Sequence, residues 1–180
     1  MPTSRVSCGV EIASNWTPDG KAIIFQKFRA NKSNENYTDI EVVDIQNGQV
    51  SILPGSEKLI GPTISPDGHW LAAAPSNRQE IMLFDFATRK WTELAKTDVG
   101  GISWTRDGKH LYFDFGSGLD PAISRLRMAD GKMERVSGLK DFRRFIFGFF
   151  PWSGLTSDGD PLLLRDVGTQ EVYALDFQTE

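Results

Sequence analysis

The sequence predicts an all-β protein built from repeated four-stranded units, and three observations carry that prediction. A turn motif, S/T-x-D-G, occurs four times: W-T-P-D-G at 16–20, I-S-P-D-G at 64–68, W-T-R-D-G at 104–108 and L-T-S-D-G at 155–159. Its glycines, Gly20, Gly68, Gly108 and Gly159, lie 48, 40 and 51 residues apart, a spacing that suits a supersecondary unit of several strands. No segment keeps a helical period of apolar residues, so little or no helix is expected. Four antiparallel four-stranded units joined by short turns are the blades of a β-propeller, either a four-bladed ring or half of an eight-bladed one.

Each element follows from local chemistry. In the first turn Pro18 presets φ for an early turn position, the Asp19 carboxylate can accept from nearby backbone N–H groups, and Gly20 accepts positive φ without a Cβ clash. An Asp-Gly pair between apolar alternations is a strong hairpin signal. A third apolar segment follows each hairpin: I-E-V-V-D-I at 40–45, I-M-L-F-D-F at 81–86, I-S-R-L-R-M at 123–128 and E-V-Y-A-L-D-F at 171–177. A short fourth strand then closes the first three units, Q-V-S-I-L-P, K-W-T-E-L-A and K-M-E-R-V-S. The units run approximately over 8–54, 55–96, 97–138 and 139–180 of a single propeller region, 1–180. The last unit has no fourth strand, and P-T-S-R-V-S at 2–7 resembles the outer strand of the third, so it is expected to complete the last blade or a preceding one.

These four motifs, each with an apolar or aromatic residue in front and a segment such as I-M-L-F-D-F behind, resemble the WD40-like, PD40-type repeats of the TolB-like β-propellers. The resemblance covers nearly the whole chain and rests on repetition. Two positions depart from it: Arg106 and Ser157 stand where Pro18 and Pro66 stand in the first two units. What the resemblance implies is a non-catalytic interaction or sensing module, binding a protein, peptide or small ligand through blade-end loops or the axial channel. The alternative is the propeller portion of a larger protein, a prolyl-oligopeptidase-type peptidase, a kinase or a winged-helix regulator. The chain begins on an outer strand inside a repeat, which is the pattern of the C-terminal part of a longer bacterial propeller.

Composition narrows the classes. The 180 residues are 39% hydrophobic and 11% aromatic, and a chain of that length buries roughly 70% of its unfolded surface. Five Trp and twelve Phe suit packing between blades. The net charge is −4 and the basic run goes no further than Arg143-Arg144, which argues against nucleic acid as partner. The N-terminus lacks the apolar core of a signal peptide, and no run approaches the ~20 residues of a membrane helix. The chain is therefore expected to be soluble, with no membrane partner and no compartment specified.

No catalytic, cofactor or metal residue is assigned. Cys8 is the single cysteine and reads as a small packed side chain. His69 and His110 sit just past repeat turns, G-x-S-x-G is absent, and two histidines alone are too few for a metal. Asp19, Asp67, Asp107 and Asp158 are accounted for by turn geometry, outside any D-x-[DN]-x-[DN]-G calcium loop. D-F-R-R-F-I-F-G-F-F-P-W at 141–152 reads either as a long innermost strand buried on both faces or as an exposed aromatic ledge beside Arg143 and Arg144. The polar loop N-K-S-N-E-N-Y at 31–37 is expected to project from one end. The unmatched edge strands 2–7 and 171–177 leave two arrangements, a self-closed ring or a homodimer of two four-unit chains. Broad aromatic rings between blades favour the dimer.

Overall fold

The computed structural model describes residues 11–30, 36–115, 120–147, 150–151 and 153–169. Among them there is no helix, and sixteen antiparallel strands account for the regular structure. The first blade is β1 (Glu11–Trp16), β2 (Ala22–Ala30), β3 (Asn36–Asp44) and β4 (Val50–Ile52), paired in that order. The second is β5 (Leu59–Ile64), β6 (Trp70–Pro75), β7 (Glu80–Asp85) and β8 (Lys90–Lys96), and the third is β9 (Ile102–Trp104), β10 (His110–Phe115), β11 (Ala122–Arg127) and β12 (Met133–Gly138). The fourth shows the hairpin of β15 (Ser153–Leu155) and β16 (Pro161–Leu163), preceded by a smaller one of β13 (Ile146–Phe147) and β14 (Phe150–Pro151). Segments 2–7 and 171–177, with Cys8, lie outside the described residues.

The first strand of each blade packs beside the first strand of the next, β1 on β5, β5 on β9 and β9 on β15, so these strands line the axis. Sheets radiating from an axis are covered on both faces, and the strict in–out alternation of a half-exposed strand gives way to continuous apolar runs. In β6, Leu71 and Ala73 turn toward the first blade while Ala72 and Ala74 turn toward the third, all four of them buried. Ile24, Ile40, Leu53, Leu59 and Phe84 complete the first seam, and Ile81, Leu83, Leu111, Phe113 and Leu126 the second. Each large aliphatic side chain so buried contributes about 1.5–3 kcal/mol. Tyr112, Ile123 and Leu139, with Phe142, Leu155 and Leu163 against them, form the third seam.

Polar bonds cross the same seams. Trp104 donates its indole N–H to Thr63 O at 3.0 Å, Asn15 donates to Pro62 O at 2.8 Å, and Gly61 N–H donates to the buried Gln26 Oε1 at 2.9 Å. Trp16 occupies in the first blade the place of Trp104 in the third, each opposite the corresponding residue of its second strand, Ile23 or Leu111. Trp16 is 59% exposed, and no hydrogen bond from its indole to a described residue matches that of Trp104. Among the described residues no core cluster or hydrogen bond joins the first blade to the fourth.

The described part of the aromatic segment does not run as one long inner strand. Phe145 N–H donates to Leu164 O and Ser153 pairs with Leu163, so the inner strand of the fourth blade takes up adjacent positions on the ladder at these two residues, and the described residues 146–147 and 150–151 stand off it. They form the β13–β14 hairpin. It has smaller counterparts in the first two blades, where β1 is bulged between Ile12 and Asn15 and β5 between Ile60 and Thr63. A bulge releases residues from the ladder and is a natural point for insertion. The loop expected at 31–37 is also shorter: Asn36 and Tyr37 belong to β3 and pair with Ala30 and Arg29.

Candidate functional site

The four D-G turns gather at one end of the axis, and their chemistry is shared. In the first three the hydroxyl of Thr17, Ser65 or Thr105 donates to the carboxylate two residues on, and accepts the N–H of Ala22, Trp70 or His110 at 3.0, 2.9 and 3.0 Å. The turn glycines take φ of +69°, +75°, +67° and, in the fourth, +89°, the left-handed region a side chain disfavours. These bonds hold the carboxylates ionised. Asp67 titrates below its usual range chiefly because the Ser65 hydroxyl donates to it, Asp19 chiefly through Thr17, and Asp107 chiefly through the Lys109 N–H.

The fourth turn differs for a reason visible in one residue. The position that donates its N–H in the other blades is Pro161, which has none, so Asp160 N–H donates to Thr156 Oγ1 instead, at 3.1 Å. The pairing slips by one residue: Leu155 faces Pro161, where Trp16, Ile64 and Trp104 face Ile23, Leu71 and Leu111. A one-residue slip exchanges the faces of a strand. Leu163 therefore packs on the third blade, and Leu162 is exposed.

Between the second, third and fourth of these turns lies a cleft of about 340 Å³. Its apolar wall is Ile64, Trp104 and Leu155, one residue from the inner strand of each of three successive blades. Thr63, Ser103, Thr156 and Ser157 bring hydroxyls to it. Arg106 is the cation at its rim, exposed and without an ion pair to any described residue. A neighbouring cleft of about 530 Å³ lies between the first and second turns, bounded by Pro18, Asp19, Asp67 and Phe86.

The other end of the blades is closed by charge pairing. Asp114, 1% exposed, accepts the Gly101 N–H at 2.5 Å and pairs with Arg144, 8% exposed, which joins the third blade to the fourth. Arg144 Nε and Nη1 have no hydrogen-bond partner there. Burial lowers the Arg78 pKa, and the nearby Asp114 opposes that shift. On the face of the first blade turned away from the second, Arg29 pairs with Asp39 at 2.8 Å and with Glu41, and Lys27 stands 3.8 Å from Glu41. These carboxylates are buried.

The residues weighed from the sequence fall as follows. His69 is exposed and its backbone N–H donates to Asp67, His110 serves the Thr105 turn through its backbone, and neither lines either of the two clefts. Arg143 and Arg144 separate: Arg143 pairs with Asp166 at 2.9 Å in the open, and Arg144 is buried. Phe142 packs inward and Phe145 is exposed. No group of three or more His, Cys, Asp or Glu close enough to hold a metal occurs among the described residues. No helix among them is long and apolar enough to cross a membrane. Sequence reasoning noticed Arg106 and Ser157 only as departures from the repeat, and that irregularity is the signal that locates the cleft.

No protein-family model matches the sequence, and no curated protein matches it closely enough to serve as a relative. Solved structures do. TolB from Acinetobacter baumannii superposes with a TM-score of 0.64 at 25% identity, over 89% of this chain and 39% of that one. The fold is that of a TolB-like β-propeller. The β-propeller domain of the Trilobed protease from Pyrococcus furiosus, with its open velcro topology, is similar at a TM-score of 0.56 and 17% identity, over 72% of this chain and 42% of that one. A chain of the nidogen/laminin complex is similar at 0.60 and 15% identity, over 82% of this chain and 52% of that one. This TolB-like chain thus spans about two fifths to one half of the length of the proteins it resembles.

Proposed function

We propose that this propeller is a non-catalytic interaction module that binds a protein, peptide or small ligand through the D-G end of its axial channel. The observation that carries this reading is the cleft of about 340 Å³ in which three inner strands meet and Arg106 has no ion pair to any described residue. Concave, partly apolar sites with a few converging polar groups are the usual form of a binding site. The hydroxyl chemistry fits binding better than turnover, since Ser65 and Thr105 are committed to their turn carboxylates and neither His69 nor His110 lines the cleft. That a similar propeller occurs in a nidogen/laminin complex accords with a protein-binding role.

The test offers the purified chain a random peptide library alongside esterase and peptidase substrates. Enriched peptides that bind without turnover support the proposal. Robust hydrolysis that disappears in His69→Ala or His110→Ala overturns it.

A second reading, the propeller portion of a larger enzyme or signalling protein, is favoured by the likeness to a protease's propeller domain. Reading the flanking coding sequence for a nucleophile elbow or a kinase glycine loop decides between them. The exposed Trp16 face favours a homodimer, for which light scattering would give twice the 20.1 kDa of the chain.

A further inference from the structure

We infer that the cleft at the D-G end of the channel is a receptor for the C-terminal residue of a peptide, its α-carboxylate on Arg106 and its apolar side chain against Trp104, Ile64 and Leu155. The inference rests on the binding-module reading above and names the ligand of that site.

The internal repeat supplies the first argument. In the third blade every turn bond of the first two is present: Thr105 Oγ1 to Asp107 at 2.7 Å, Lys109 N–H to Asp107 at 3.0 Å, and His110 N–H to Thr105 Oγ1 at 3.0 Å. Residue 106 takes part in none of them. Proline serves that position in the first two blades, so the turn has no need of a guanidinium, and the charge is left over for another use. Ser157 is the same kind of departure in the fourth blade, and it lines the same cleft.

Electrostatics then selects the ligand. A single planar guanidinium matches one carboxylate in a two-point fork. Asp67 and Asp107, one residue from cleft-lining Pro66 and Arg106, are held ionised by their turn bonds, so a second negative charge on the ligand would meet repulsion. A monocarboxylate is favoured over a phosphate dianion. The Trp104 N–H is already donated to Thr63 O, so the ring has only its apolar surface to offer. Ser103 and Ser157 are placed to bond a peptide's last amide. The volume, about 340 Å³, lies at the small end of the range for ligand sites, which runs from about 300 to 1,000 Å³, and so suits a chain terminus rather than a folded surface.

The test titrates the full chain with N-acetyl-alanyl-leucine as free acid, the same peptide as its C-terminal amide, 4-methylpentanoate and inorganic phosphate, following the Trp104 indole N–H resonance. The free acid is expected to shift that resonance saturably and to bind about tenfold to a hundredfold more tightly than the amide, the range for a hydrogen bond to a charged group. Arg106→Pro, which restores the turn of the first two blades, should keep the fold and reduce the acid to the affinity of the amide. Equal binding of acid and amide, tighter binding of phosphate, or full affinity in Arg106→Pro would overturn the inference. If 4-methylpentanoate bound as tightly as the peptide, the peptide assignment would fall. Library peptides that bind Arg106→Pro as well as the parent chain would leave the interaction-module reading standing and refute this one.

Discussion

Trp104 and Trp16 occupy the same place in two copies of one repeat, and replacing each by phenylalanine separates packing between blades from the local worth of an aromatic. In Trp104→Phe the 3.0 Å bond to Thr63 O disappears from a half-buried seam, leaving that carbonyl without the donor from the neighbouring blade. A net hydrogen bond is worth about 1 kcal/mol, and an acceptor left unsatisfied costs about 1–3 kcal/mol. The smaller ring also leaves space against the core cluster that contains Leu111, a cavity cost that grows with the volume left unfilled. The expected loss is about 2–3 kcal/mol. Trp16 is 59% exposed and crosses no seam, so Trp16→Phe should change stability by no more than about 0.5 kcal/mol. Urea unfolding followed by far-UV circular dichroism measures both without relying on the fluorophore that has been changed. Equal losses for the two variants, independent of protein concentration, would refute the seam argument. A loss at Trp16 that shrinks on dilution would instead mark a second copy seated on that face.

Three further outcomes follow from the geometry. Asp114→Ala strands Arg144 in a site where it is 8% exposed, and should cost about 3–5 kcal/mol in a urea melt, the range for breaking a buried pair from one side; an effect under about 1 kcal/mol would mean that the pair is solvated. Leu163→Ser should destabilise by about 1–3 kcal/mol while Leu162→Ser stays within about 0.5 kcal/mol, and the reverse order would show that the fourth turn keeps the register of the others. Acid should weaken the fold. Asp19, Asp67, Asp107 and Glu134 titrate below their usual values when folded, and Arg127 holds Asp130 at about 2. The unfolded chain therefore binds more protons in this range, so the stability these groups supply is complete above about pH 4 and is lost as the pH falls toward about 2. Thermal melts across that interval check it, and a midpoint that does not move would contradict it.

What could be read from the sequence is what depends on a few consecutive residues. A hydroxyl, a carboxylate and a glycine within five positions close a D-G turn whatever surrounds it, and four such turns at similar spacing carry with them the strands, the blades and the order of the inner hairpins. Pro161 was equally local in cause, since its missing N–H moves the fourth turn by one residue, but its effect on Leu162 and Leu163 shows only once the third blade is there to receive one of them. The aromatic segment is apolar enough for a buried strand, and its period does not reveal that Phe145 and Ser153 take adjacent places on the ladder. The pairing of Asp114 with Arg144, 30 residues apart, and the meeting of Arg106 with Ser157 across the channel were decided by which blades stand side by side. Turn chemistry acts through bonds between near neighbours in the chain, whereas charge pairing and cleft shape depend on distances that exist only after the blades have been set around their axis.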